Sequence, residues 1–94
     1  MHPDKTLPQE RNAEQQGMIT VLFEKNFRGV RPALMNLKNE YQEIVHTSFS
    51  APMAGDVAVE IILVRGEDVR LKALERELME KRGIRSARLT LIPT

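Results

Sequence analysis

The sequence predicts an α+β fold whose six elements run βαββαβ, giving a four-stranded antiparallel sheet with two helices on one face. Three observations carry this. Strand-like segments alternate apolar and polar residues or are rich in β-branched ones, two further segments repeat their apolar residues at helical spacing, and glycine or proline punctuates the junctions.

The first strand spans residues 18–25 (MITVLFEK), with Ile19, Val21 and Phe23 on one face and Thr20, Leu22 and Glu24 on the other. Asn26 reads as a helix N-cap. Val30, Ala33, Leu34, Leu37 and Tyr41 then form one apolar stripe, so a helix is expected over residues 29–41. Pro32 falls in its first turn, where the missing N–H costs little. Residues 44–50 form the second strand, and residues 51–55 (APMAG) a hairpin loop centred on Met53.

The third strand, residues 57–65, sets Val57, Val59, Ile61 and Leu63 against Ala58, Glu60, Ile62 and Val64. It is apolar on both sides except for Glu60, as a central strand should be. Gly66 is expected to end it. A second helix over residues 67–82 has Glu67 and Asp68 in its first turn and Lys81 and Arg82 in its last, matching the helix dipole. Leu71, Leu74 and Leu78 are its buried stripe, with Val69 at the entrance, and Gly83 is a left-handed C-terminal cap. Residues 84–93 close the sheet, with Ala87, Leu89 and Leu91 inward and Arg88, Thr90 and Ile92 outward. Right-handed crossovers set the fourth, first, third and second strands side by side in that order, a ferredoxin-like plait.

Residues 1–16 carry two prolines and no apolar period, and read as a disordered tail before one domain over residues 17–94. The 94 residues suit a single small domain whose modest core would gain from oligomerisation. With no cysteine, disulfides, thiolate metal sites and a cysteine nucleophile are excluded. A formal charge of +1 argues against autonomous DNA or RNA binding, which leaves a basic footprint. No apolar run has the length of a membrane span or signal peptide, so a cytoplasmic location is the default and no membrane partner is expected. The sheet face away from the helices is expected to carry Leu22, Ala58, Ile62, Val64 and Ile92 among polar residues. A face that apolar on so small a protein usually meets another copy or a ligand, and self-association is the preferred reading.

Residues 57–92, above all VEIILVRG (59–66) and KRGIRSARL (81–89), together with MNLKNEYQEIV (35–45), resemble the C-terminal regulatory domain of the nickel-responsive repressors of the ribbon-helix-helix class. The resemblance runs over residues 18–94, and QQG (15–17) is similar to that family's interdomain linker. It implies an ACT-like plait that assembles through its sheets into dimers and tetramers. The chain is also similar to the stand-alone iron-only hydrogenase system regulators, which share the fold without a DNA-binding domain.

The departures are specific. The family binds DNA through an N-terminal ribbon-helix-helix segment, which residues before Gly17 are not expected to supply. Its square-planar nickel site uses three histidines and a cysteine, and the resemblance sets Ser50, Pro52, Ala58 and Tyr41 at those positions. None of these is a credible nickel ligand. No metal and no cofactor is therefore expected.

Candidate binding residues remain. His46 is expected to pair across the hairpin with Glu60 on the open face, mainly as a structural pair. Asn26, Arg28 and Gly29 sit in the first β–α connection, where backbone amides suit an anion, and in amino-acid-binding ACT domains this loop takes part in effector binding. The same fold hosts acylphosphatases, so a phosphate hydrolase using Arg28 and Asn26 is the alternative, although the glycine-rich loop of those enzymes is absent. The expected function is a non-enzymatic regulatory or sensor domain, a homo-oligomer that binds a small effector or a partner protein at subunit interfaces.

Overall fold

The computed structural model describes residues 14–93. The elements are β1 (Glu14–Glu24), α1 (Val30–Glu40), β2 (Val45–Pro52), β3 (Val57–Glu67), α2 (Asp68–Met79) and β4 (Ile84–Ile92). The sheet order is β2-β3-β1-β4, with every neighbouring pair antiparallel, as the sequence predicts.

β1 starts at Glu14, four residues before the expected Met18. Gln15, Gln16 and Gly17, similar in sequence to a linker, pair instead with Gly66, Arg65 and Val64 of β3. The expected tail thus loses residues 14–16 to the sheet, and its remainder lies outside the described residues. β3 likewise runs through Gly66 to Glu67. Gly66 serves close packing there: a Cβ on it would lie 2.5 Å from Ile44 Cγ2.

α1 is capped by Gly29 at φ 89°, a left-handed conformation that favours glycine, and Asn26 does not cap it. Pro32 is the third helical residue, within the first turn as expected. α2 ends at Met79, before Lys81 and Arg82, and Gly83 adopts the left-handed conformation expected of it.

The core lies between the helices and one face of the sheet. Ile19, Val21, Phe23, Ile62, Leu71, Leu74 and Leu78 are fully buried, joined by Val30, Leu34, Leu37 and Tyr41 of the α1 stripe. Full burial of each large aliphatic side chain contributes roughly 1.5–3 kcal/mol. Val69, expected at the core entrance, is instead 68% exposed.

The phase of β3 is the main correction. Ile62 pairs with Ile19, Glu60 with Val21 and Ala58 with Phe23. Directly paired residues share a face, so Ala58, Glu60, Ile62 and Val64 point toward the helices and are all buried. The uncovered face is built instead from Met18, Thr20 and Leu22 of β1, Val59, Ile61 and Leu63 of β3, and Thr47, Phe49 and Ala51 of β2.

The hairpin register differs too. Pro52 pairs with Ala58, so the loop is centred on residue 55 and Glu60 faces Ser50, not His46. Val45 pairs with Val64 and Thr47 with Leu63, which leaves His46 as the extra residue of a β-bulge.

Candidate functional site

Glu60 is the one charged residue among the buried ones, placed by β3 on the helix side of the sheet. Lys38 reaches it from α1, with Nζ 2.5 Å from Glu60 Oε2 and 3.0 Å from the Ser48 hydroxyl of β2. Desolvating such a pair cancels much of its Coulomb gain, so it adds little net stability compared with apolar side chains of the same size. Lys38 went unnoticed in the sequence. The available signal was Glu60 itself, the sole charge in VAVEIILV, which needs a cation within reach.

His46 is exposed at its bulge, beside a cavity of about 170 Å³ that it shares with Arg65, Leu63 and Ile92. The structure does not bring it to Glu60, because the register separates the two along β2 and their side chains leave the sheet in different surroundings.

In the β1–α1 loop, the Asn26 side-chain amide donates to Asp56 Oδ1 at 3.2 Å, and the Lys25 N–H donates to the Asp56 carbonyl at 2.9 Å. Asn26 thus ties this loop to the β2–β3 hairpin. Arg28 and Gly29 are exposed. This is a surface junction, with no buried polar group aimed into it.

A second polar cluster links the two helices. The Tyr41 hydroxyl donates to Glu77, and the Arg70 guanidinium lies 4.2 Å from the Tyr41 ring centroid while pairing with Glu43 at 2.5 Å. The hydrogen bond to Glu77 raises the Tyr41 pKa, with burial adding to it. The hydrogen bond from Arg70 lowers the Glu43 pKa.

Residues 16–92 match the family model described as the NikR C-terminal nickel-binding domain. The chain belongs to that family. Its relatives include a Methanothermobacter thermautotrophicus protein named "Putative nickel-responsive regulator 2", 26% identical over 85 residues that are 90% of this chain and 61% of that one. A Pyrococcus horikoshii protein named "Putative nickel-responsive regulator" is 28% identical over 83 residues, 88% of this chain and 60% of its own. The chain thus spans about 60% of the length of these relatives. The structure is similar to that of an uncharacterised protein from Thermotoga maritima, with a TM-score of 0.76 at 14% identity, covering 85% of this chain and 99% of that one. That likeness shows the shared plait.

Among the described residues no group of three or more His, Cys, Asp or Glu side chains is arranged to hold a metal ion. Of the four positions that the sequence resemblance sets at the family's ligands, Ala58 is buried in the core and Pro52 pairs with it at the end of the hairpin. Ser50 faces Glu60, and the Tyr41 hydroxyl is engaged by Glu77 of its own chain. None of these four carries an imidazole nitrogen or a thiolate. Among the described residues no helix is long and apolar enough to cross a membrane.

Proposed function

We propose that this chain acts as a non-enzymatic, ACT-like regulatory module, a homo-oligomer joined through its open sheet face, whose signal is a small effector or partner protein and not nickel. The observation that carries the assembly is the uncovered face. Leu22, Val59, Ile61 and Leu63 form an apolar strip along the two central strands, with neither helix over it, and Phe49 beside it is 59% exposed. A second copy of the same face is the simplest apolar partner for it, and the family resemblance implies assembly through the sheets. The regulator names of the relatives support the regulatory role. The near-neutral charge supports a module that does not bind DNA by itself. The poor fit of Ser50, Pro52, Ala58 and Tyr41 to nickel supports a different signal.

The test is Ile61→Lys, read by sedimentation velocity and native mass spectrometry with and without nickel. Wild type is expected to form dimers or tetramers that gain no nickel, and Ile61→Lys folded monomers. A monomeric wild type, or an Ile61→Lys variant with unchanged assembly, overturns the interface. Nickel bound with submicromolar affinity overturns the choice of signal. Ile62→Lys is the contrasting variant, because Ile62 is 0% exposed and a charge there is expected to unfold the domain.

A further inference from the structure

We propose that the groove between α1 and the helix-side surface of β2 and β3 is a binding site for a small organic monocarboxylate. It rests on the regulatory reading for its meaning, while the binding itself follows from the groove.

The groove has a volume of about 240 Å³ and is lined by Arg31, Leu34, Met35, Lys38, Ser50 and Glu60. Its helical residues recur at i, i+3, i+4 and i+7, so one face of α1 presents all four. The sheet contributes Ser50 and Glu60, which pair directly across β2 and β3. Ser50, on the edge strand, is exposed and leaves the groove open from that side.

The charges in the groove do not cancel. Lys38 is neutralised by Glu60 at 2.5 Å. Arg31 forms no ion pair with an acidic side chain among the described residues, and its guanidinium lies 5.3 Å from the centroid of the buried Phe23 ring. The groove therefore carries one uncompensated positive charge, on the side chain whose planar fork matches a carboxylate with two parallel hydrogen bonds. The Ser50 hydroxyl adds a donor or acceptor across the groove.

The net charge of the groove narrows the class of anion. One monocarboxylate neutralises the single uncompensated charge of Arg31, whereas a phosphate dianion would leave its second charge desolvated without a partner. The remaining wall is apolar: Leu34 is buried at the base and Met35 is 56% exposed. A flexible thioether left in water at the rim of a charged groove suits an apolar tail attached to the carboxylate. The volume lies below the ~300–1,000 Å³ of sites for drug-sized ligands, which limits the ligand to a few carbon atoms.

The test is an NMR titration of the isotopically labelled chain with sodium butyrate at neutral pH, run beside inorganic phosphate and beside the variants Arg31→Gln and Arg76→Gln. Saturable shifts are expected at the amides of Arg31, Leu34, Met35 and Ser50. Arg31→Gln, at an exposed position that leaves the fold intact, is expected to weaken butyrate by about tenfold or more, and Arg76→Gln, at an exposed position of α2, to leave it unchanged. Shifts that stay linear to about 50 mM overturn the site, since binding that weak is not specific recognition. Shifts centred on residues 26–29, phosphate binding as tightly as butyrate, or an Arg31→Gln variant that binds like wild type also overturn it. Failure here is separable from failure of the assembly. If butyrate does not bind while Ile61→Lys still yields monomers, only the groove assignment falls. If butyrate binds and Ile61→Lys leaves the assembly unchanged, only the interface falls.

Discussion

Glu60 and Lys38 form an ion pair at 2.5 Å beneath α1, with the carboxylate side chain 8% exposed and the ammonium side chain 20% exposed. The pair draws one turn of α1 onto the junction of β2 and β3, and Ser48 accepts a further hydrogen bond from the same ammonium. Each partner is in this position only because the other is. Without the cation, the carboxylate at position 60 would face the core unpaired.

That dependence predicts a non-additive pair of variants. Lys38→Met should lower stability by about 2–3 kcal/mol, toward the low end for breaking a buried pair because the ammonium retains some contact with water. Lys38→Met combined with Glu60→Leu should recover most or all of that loss, since no uncompensated charge remains. Urea denaturation of the two single variants, the double variant and wild type measures the coupling. Additive losses would show that the two side chains act independently.

Tyr41 is the only tyrosine in the sequence, so its ionisation can be followed alone by ultraviolet absorbance. Its hydrogen bond to Glu77, and then its burial, raise its pKa. A group with a raised folded pKa contributes stability that is complete below the unfolded value, near pH ~10 for tyrosine, and lost as pH rises through the folded value. The phenolate should therefore appear above the ordinary tyrosine range, in step with loss of structure. Tyr41→Phe should cost about 1 kcal/mol at neutral pH and remove that alkaline step. Titration at the ordinary tyrosine value in the native protein would refute the arrangement.

Gly66 tests the close approach of β3 to the segment before β2. An added methyl would lie 2.5 Å from Ile44 Cγ2, a branch fixed close to the backbone of a residue that is 4% exposed. Neither side can yield cheaply, and Gly66→Ala should destabilise by about 1–3 kcal/mol. Thermal unfolding of Gly66→Ala, Ile44→Ala and the double variant isolates the overpacking, because Ile44→Ala removes the Cγ2 that the new methyl would meet. The double variant should cost less than the two single changes added together.

Much of the fold was legible along the chain. In β1 only one face is continuously apolar, so Ile19, Val21 and Phe23 could be assigned to the core before any pairing was known. The stripes of α1 and α2 were equally clear, because a solvated helix face carries charge and a buried one does not. With two such helices and alternating strands, the plait and its strand order follow from chain connectivity.

The tertiary structure decided what local pattern leaves degenerate. β3 is apolar on both faces, so alternation has no phase there, and Glu60 suggests the solvent side unless a cation from another element covers it. Lys38 supplies that cation from 22 residues away, a distance no local pattern encodes. The bulge at His46 and the loop centred on residue 55 then set which side chains of β2 face which residues of β3, and so separated His46 from Glu60. The sequence by itself determined the elements, their order and the faces that carry a one-sided pattern. Pairing register, the phase of the two-sided strand and the groove beneath α1 were settled only where the chain packs, because each depends on contacts between residues remote in sequence.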